Sequence, residues 1–314
     1  MKFVLALSCV LAVSLTAGTA SAAVGDGFAQ DDLSHYLQNA GRAGTGTITL
    51  EKAEGLRGQR MLVIRGATSA ALQRMPVKGD TKYSLKMRGR MEGPETIEEN
   101  PIFDAMLRYN SRSVVIPRRQ IRFYDANQKL IRSVHVGMPF GQWHDYEDVF
   151  YTPSNAAEME ISFLLDKPEL VLMVEDIQLA PAEDEGAINC NPVFGKRGLY
   201  NYSGLGTYAP GSKLVTMDNG VVVFDARYGS NTDTFPILEP GQYEISARAW
   251  INGYAPTIQL YVSDENNKLL AQVRCSISAD GKVNSFVMPE GARYGRILMR
   301  SVLVEEIRLV RAAR

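Results

Sequence analysis

Four short segments occur in the same order in the first and second halves of this chain. The paired segments are 76–91 with 237–251, 119–134 with 257–273, 146–165 with 283–299, and 170–182 with 300–312. A repeat of about 150 residues is much longer than a solenoid unit and indicates tandem domains. Any account of the chain must therefore rest on one fold that is used twice.

Both copies carry the pattern of β-strands. Short runs rich in Val, Ile, Tyr and Phe alternate with polar residues, as in RQIRFYD and TIQLYVSD, and turn-forming residues separate them. No segment has the pattern of a long amphipathic helix. Many short strands without intervening helices favour a sandwich architecture. We therefore predict an all-β protein made of two tandem β-sandwich (jelly-roll) domains.

The N-terminus has the features of an export signal. A basic residue and a short apolar run precede Ala20-Ser21-Ala22, which is the small-residue pattern that signal peptidase reads. Residues 1–22 are therefore predicted to be a cleaved signal peptide. No later stretch is long and apolar enough for a transmembrane segment. The mature protein is expected to be secreted, periplasmic or attached to the cell surface.

A linker divides the mature chain. The Pro-Ala-acidic stretch 180–189 has no strand periodicity and separates two strand-like segments. The predicted modules are residues 23–182 and residues 187–314. The first copy also carries an insertion, roughly residues 92–114, that the second copy lacks.

Charge and cysteine content limit the classes of partner and cross-link. The chain has 34 Lys and Arg and 35 Asp and Glu, so its net charge is −1. This balance argues against nucleic acid as a partner, since proteins that bind nucleic acid present a net basic surface.

Outside the signal peptide the cysteines are Cys190 and Cys275. In an oxidising compartment they are predicted to form a disulfide, and the alternative is two buried thiols.

The repeated segments also resemble a known family. A Gly-containing turn and a Y-x-L/I-S strand are followed by FYDANQKLI, by the frame W-x-x-Y-x-x-x-F-x-x-P, and by VEDIQL. This order resembles the carbohydrate-binding modules of the CenC type, which are galactose-binding-like jelly rolls. The second copy departs from it, because it has no equivalent of Trp143. The resemblance implies polysaccharide binding on the concave face of one sheet, often with a structural calcium.

Acidic residues in two parts of the first copy resemble the calcium position of that family. They are Glu175 and Asp176 near the last strand of the first copy, with Asp31 near the amino end. Calcium prefers hard oxygen ligands such as carboxylates and carbonyls. A structural Ca²⁺ at Asp31, Glu175 and Asp176 is the resulting expectation, and a charged strand end is the alternative. No other cofactor is expected.

Strand alternation selects residues for ligand binding. In YEISARAWI, one face is apolar and runs to Ile251, while Arg248 and Trp250 lie on the polar face. The core does not need a polar-face tryptophan, whose ring can stack on a sugar. The following segment, TIQLYVSD, is interpreted as a strand that pairs with YEISARAWI, and the corresponding strands of the first copy are treated in the same way. The predicted ligand-binding residues are Arg88, Arg122, Tyr124, Arg248, Trp250, Gln259 and Tyr261. A solvated face or a protein interface is the alternative.

No catalytic residue is predicted. His144 and Asp145 are adjacent, so in a strand their side chains point to opposite faces and cannot form a dyad. The only acidic cluster that could line a hydrolase or lyase cleft lies in the insertion: Glu95, Glu98, Glu99 and Asp104.

The sequence therefore favours a secreted, non-catalytic protein that binds polysaccharide or a cell-surface glycan. One alternative is a structural or adhesive surface protein with a protein partner in the cell envelope. The other alternative is a polysaccharide hydrolase or lyase.

Overall fold

The structure is a computed structural model. It describes residues 28–29, 32–38, 45–53, 60–93, 118–137, 141, 143–165, 167–183, 185–190, 192–194, 207–208, 213–227, 229–232, 234–237 and 239–312. These residues contain twenty-one β-strands and one 3-10 helix, Leu33–His35. The predicted all-β class is confirmed. A membrane-spanning helix is absent from the described part of the chain.

Ten strands of the described residues build the first module. They are β1 Thr47–Lys52, β2 Arg60–Arg65, β3 Thr68–Ala71, β4 Met75–Pro76, β5 Lys82–Glu92, β6 Arg118–Tyr124, β7 Leu130–Gly137, β8 His144–Tyr151, β9 Glu158–Leu165 and β10 Val171–Pro181. One antiparallel sheet has the order β1-β2-β10-β5-β8, and we call it the β5 sheet. The other has the order β3-β9-β6-β7, with β4 also paired to β9, and we call it the β6 sheet.

The remaining eleven described strands build the second module. They are β11 Thr207–Tyr208, β12 Lys213–Thr216, β13 Val222–Asp225, β14 Ser230–Asn231, β15 Phe235–Pro236, β16 Gln242–Ile251, β17 Thr257–Ser263, β18 Leu269–Arg274, β19 Val283–Val287, β20 Tyr294–Arg300 and β21 Val302–Arg311. The β16 sheet has the order β12-β13-β21-β16-β19. The β17 sheet has the order β11-β14-β20-β17-β18, with β15 paired to β20.

Each module has its own hydrophobic core between its two sheets. The buried apolar residues of the first core lie within 28–177, and those of the second lie within 194–309. Tyr36 is fully buried and packs edge-on against Phe28. Two separate cores with two sheets each confirm the predicted pair of tandem β-sandwiches.

The repeat detected in the sequence is also a repeat of local geometry. The hairpin turn between β6 and β7 is held by Asp125, whose Oδ1 accepts hydrogen bonds from the N–H groups of residues 127 and 129. Asp264 does the same for residues 266 and 268 between β17 and β18. An Asp side chain that satisfies the turn backbone is the reason this residue type suits both positions.

Consecutive strands often lie in opposite sheets. The chain passes from β5 to β6, and likewise from β16 to β17, by crossing from one sheet of the sandwich to the other. β5 and β6 are therefore neighbours in sequence but not in a sheet, and the same holds for β16 and β17. This crossing decides which polar faces can act together.

A charged pair joins the two sheets through the core of the first module. Arg119 points inward from β6 and forms an ion pair with Asp148, which points inward from β8, and both side chains are fully buried. The guanidinium carbon of Arg119 also lies 4.9 Å from the ring centre of Tyr146. In the second module the equivalent strand positions hold Ile258 and Asn284.

The two modules touch through a small set of contacts. Tyr151 OH donates to the carbonyl of Ile188 at 2.9 Å, and its side chain packs against the second core. Lys82 Nζ donates to the carbonyl of Ala187 at 2.9 Å, beside the Tyr151 ring. The segment that follows the first module is therefore held by the end of β8 and the start of β5.

Candidate functional site

The topology separates residues that the sequence analysis had placed on one face. Arg88 lies on the outward face of the β5 sheet, whereas Arg122 and Tyr124 lie on the outward face of the β6 sheet. The prediction that these strands are neighbours is wrong, because the chain crosses the sandwich between them. The set therefore divides into four faces, two in each module.

In the second module the same crossing separates Arg248 and Trp250 from Gln259 and Tyr261. The first two residues lie on the β16 sheet, and the last two lie on the β17 sheet. No single ligand-binding face contains all four of these residues.

Arg88 is part of a compact polar group on the β5 sheet. Its guanidinium carbon lies 5.3 Å from the centre of the half-buried Trp143 ring, and its Nε lies 3.9 Å from Asp145 Oδ1. Glu175 stands directly opposite Arg88 on β10. Burial raises the pKa of the Glu175 carboxyl, and the positive charge of Arg88 offsets this in part. We call these four residues the first Arg–Trp cluster.

Arg248 has the equivalent place in the second module. Its Nη1 donates to Glu305 Oε1 at 2.8 Å, and its Nη2 lies 3.7 Å from Glu306 Oε2. Trp250 follows two residues later on the same face of β16 and is half-buried. These four residues form the second Arg–Trp cluster.

Irregular strand pairing occurs at the acids that the last strand of each module contributes to its cluster. The register of β10 shifts between Glu175 and Gln178, with Asp176 in the left-handed region at a φ of 52°. The register of β21 shifts in the same way at Glu305, opposite β16. A β-bulge re-aims side chains locally, and in both modules it brings carboxylates to the arginine.

Sequence analysis did not select Trp143 as a site residue, because it assigned this residue to the family frame alone. A signal was available, because the chain has only two tryptophans and the other one, Trp250, was chosen. The structure puts each of them on the same outward face as the equivalent arginine of its module. Trp143 comes from the residue before β8, whereas Trp250 comes from β16 itself, so an alignment of strands cannot match them.

The outward face of the β6 sheet is a closed ionic network. Arg122 Nη1 donates to Glu160 Oε1 at 3.0 Å, and Tyr124 OH donates to Glu160 Oε2 at 3.2 Å. Arg74 covers the Tyr124 ring, with 3.6 Å between guanidinium carbon and ring centre, and forms an ion pair with Glu158 at 3.4 Å. Tyr124 is only 8% exposed, so its ring presents no stacking surface for a ligand.

The outward face of the β17 sheet is open and basic. Gln259 and Tyr261 point outward from β17, and the Tyr261 hydroxyl donates to Gln259 Oε1 at 3.3 Å. The strands on either side contribute exposed arginines, and Arg296 lies with its guanidinium carbon 5.8 Å from the Tyr261 ring centre. We call this surface the arginine face, and it comprises Gln259, Tyr261, Gln272, Arg274, Arg296 and Arg300.

His144 and Asp145 point in different directions, as the alternation of a strand requires. The His144 ring lies 6.2 Å from the Tyr146 ring, centre to centre, whereas Asp145 points outward beside Arg88. Burial lowers the pKa of the His144 imidazole, and the negative charge of Asp145 opposes this shift. The two residues do not form a dyad.

The predicted calcium site stays a prediction. Glu175 is buried and Asp176 is exposed. Asp31 lies outside the described residues. Within the part of the chain that the structure describes, no group of three or more His, Cys, Asp or Glu could hold a metal ion.

The predicted disulfide between Cys190 and Cys275 is not formed, and both cysteines are thiols. Cys275 follows β18 and is buried in the second core. Cys190 lies in the segment that runs beside β21, in the opposite sheet, where Val193 bridges Glu306. Burial raises the pKa of the Cys275 thiol to about 12.

Several predictions from sequence fall outside the described residues. They concern the signal peptide 1–22 and the acidic insertion with Glu95, Glu98, Glu99 and Asp104. The hydrolase or lyase alternative depends on this insertion and stays a prediction. The protein-partner alternative likewise stays a prediction.

No protein-family model and no curated protein matches the chain. Among solved structures, a family 16 carbohydrate-binding module is 14% identical, with 50% of this chain and 98% of that chain covered and a TM-score of 0.35. The tandem of two family 22 modules from Paenibacillus barcinonensis Xyn10C is 10% identical, with 93% and 100% covered and a TM-score of 0.31.

A third match is the enzymatically active domain of tailspike protein 4 from bacteriophage CBA120. It is 15% identical, with 44% of this chain but only 18% of that chain covered and a TM-score of 0.34. Several matched structures are thus carbohydrate-binding modules, one of them a tandem. Likeness at this level assigns neither a family nor a ligand to the chain.

Proposed function

We propose that this chain is a secreted, non-catalytic protein that binds carbohydrate through the Arg–Trp clusters of its two modules. One observation carries the proposal: each of the two tryptophans of the chain lies on the outward face that carries the equivalent arginine. The Trp143 ring centre is 5.3 Å from the Arg88 guanidinium carbon, and Trp250 is two residues after Arg248 on the same face of β16. A duplicated ring and guanidinium form the same kind of surface twice.

The chemistry of the clusters suits a sugar. A tryptophan ring offers a flat apolar surface for the C–H face of a pyranose, and its cost in conformational entropy is low. The guanidinium has five N–H donors in a fixed fork, and its carboxylate partners use only some of them. Arg248 is 45% exposed and Arg88 is 37% exposed, so donors remain available to hydroxyl groups.

The carboxylates complete the site. Glu305 and Glu306 are each less than one-fifth exposed and hold Arg248 in place. A ligand hydroxyl that reaches them would find an acceptor next to a donor. A few convergent polar groups around an aromatic ring are the usual composition of a small ligand site.

Affinity electrophoresis of residues 23–314 tests the proposal. Native gels would contain one soluble polysaccharide each, from a panel of neutral β-glucan, xylan and galactan. We expect retardation by at least one of them, reduced by Trp143→Ala and by Trp250→Ala and abolished in the double variant. Stacking on one aromatic ring is worth about 0.5–1.5 kcal/mol, which is a loss of roughly 2- to 13-fold in affinity for each ring removed.

Leu130→Ala is the matched control, because Leu130 is an apolar side chain that is 48% exposed on the β6 sheet. Retardation that survives in the double tryptophan variant would contradict the proposed site. Release of reducing ends from the retained polysaccharide would contradict the non-catalytic part of the proposal.

A further inference from the structure

The arginine face of the second module carries charge without compensation. Strands β17, β18 and β20 contain no Asp or Glu. Arg274, Arg296 and Arg300 are exposed on the outward side of these strands. Among the described residues, none of these three guanidinium groups lies within 4 Å of a carboxylate. This is unusual in a chain whose net charge is only −1.

In the first module, the strand positions equivalent to Tyr261 and Arg296 hold a pair of opposite charges. Gln120 and Gln259 occupy equivalent places on β6 and β17, so Arg122 corresponds to Tyr261. Opposite them stand Glu160 in the first module and Arg296 in the second. The first module therefore has an ion pair at 3.0 Å where the second has an exposed arginine against a ring.

The geometry of the face suits an extended chain. Arg296 and Arg300 are four residues apart on β20, which corresponds to about 14 Å along the strand. Arg274 stands across β17 from them, opposite Gln259 in the register. The polar side chains of Gln259 and Gln272, within 3.4 Å of each other, and the Tyr261 ring lie between the arginines. A row of amides and one ring bordered by positive charge recognises hydroxyls, a sugar face and anionic groups together.

We propose that the arginine face binds an anionic polysaccharide, one that carries carboxylate or sulfate groups. This proposal rests on the proposed function only for the choice of a glycan, since the arginine face and the second Arg–Trp cluster lie on opposite sheets of the second module. Guanidinium groups bind carboxylate and sulfate through paired, charge-assisted hydrogen bonds. Sequence analysis selected Gln259 and Tyr261 of this face but none of its three arginines, because strand alternation alone did not show that their strands pair with β17.

Matched polymers provide the test. Binding of residues 23–314 to dextran sulfate would be compared with binding to unsulfated dextran of the same length, and polygalacturonate would represent a carboxylate polymer. We expect affinity for dextran sulfate, polygalacturonate or both to exceed that for dextran, and to fall as salt rises. Which polymer binds more tightly distinguishes sulfate from carboxylate as the favoured group.

Charge-removing variants locate the site. The triple variant Arg274→Gln, Arg296→Gln, Arg300→Gln should lose about tenfold or more in affinity for the anionic polymer at low salt. The control removes three exposed positive charges elsewhere: Lys52→Gln, Lys129→Gln and Lys282→Gln. Equal losses in the two triple variants, or no loss in the arginine variant, would overturn the proposal.

Two further measurements distinguish a glycan from other anionic ligands and separate the arginine face from the Arg–Trp clusters. Tyr261→Ala should weaken binding of the sugar polymer but leave any binding to duplex DNA or to anionic vesicles unchanged. Binding to DNA or vesicles as tight as to the sugar polymer would overturn the assignment to a glycan. Loss of neutral-glycan binding in the tryptophan variants, with anionic binding intact, would show that the two sites are independent.

Discussion

At the scale of the residue, the burial of Cys275 decides an outcome that the number of cysteines in the sequence did not predict. Two cysteines in a chain that is predicted to be exported indicate a disulfide, but the Cys275 side chain is part of the second core. The pairing of cysteines depends on which sheet each one faces, and spacing in the sequence does not contain that information. Glu175 and Asp176 lie at a β-bulge, where a period-2 pattern does not predict that one is buried and the other exposed.

Cys275 should be unreactive in the folded protein. Burial raises its pKa to about 12, so only about one thiol in ten thousand is ionised at pH 8, and the thiolate is the reactive form. In a Cys190→Ser variant of residues 23–314, a thiol reagent at pH 8 should label Cys275 no faster than the module unfolds. Denaturant should restore rapid labelling.

Mass spectrometry of the unmodified chain checks the same point. Prompt labelling of Cys275 in the native state would contradict the buried thiol. A mass that lacks two hydrogens, with residues 190 and 275 in one cross-linked peptide, would contradict the structure and restore the disulfide.

At the scale of the element, alternation within a strand was predictable and the partners of a strand were not. Tyr243 and Ile245 are buried and Arg248 is exposed, as the period-2 pattern of β16 predicts. Ile251, predicted for the apolar face, is 65% exposed, because it ends the strand beyond the edge of the core. A pattern of period 2 identifies a face but does not say which sheet the strand joins, so β5 and β6 were wrongly placed side by side.

The buried pair Arg119 and Asp148 is the clearest difference between the two modules at this scale. Sequence alternation places Arg119 among the inward residues of β6, but a lone charge there is unstable without a partner from the facing sheet. Asp148 supplies that partner from β8. The second module fills the same places with Ile258 and Asn284, and Asn284 accepts a hydrogen bond from Ser276 N at 2.8 Å.

This comparison predicts the result of exchanging the pair. Arg119→Ile should lower the free energy of unfolding of the first module by about 3–5 kcal/mol, because it leaves Asp148 charged in the core. The double variant Arg119→Ile, Asp148→Asn, which reproduces the second module, should recover most of that loss. Urea unfolding followed by circular dichroism measures both. A double variant that is no more stable than Arg119→Ile would contradict the compensating role of the pair.

At the scale of the whole molecule, one fold presents two kinds of polar surface. The Arg–Trp cluster is kept in both modules on the β5 and β16 sheets, whereas the β6 and β17 sheets have diverged into a closed ionic network and an open arginine face. The contacts of Lys82 and Tyr151 with residues 187–188 tie the second module to the first. Two linked sites for one polymer bind it more tightly than either site alone, because the second contact is intramolecular.

Tryptophan fluorescence tests the central claim most directly, because each of the two tryptophans of the chain reports on one cluster. Trp250→Phe leaves Trp143 as the only reporter, and Trp143→Phe leaves Trp250. Titration of each variant with the polysaccharide that retards the chain in gels should change its emission with saturation, at similar concentrations in the two variants. Emission that stays unchanged in both variants, while the polysaccharide still binds, would contradict carbohydrate binding at the Arg–Trp clusters.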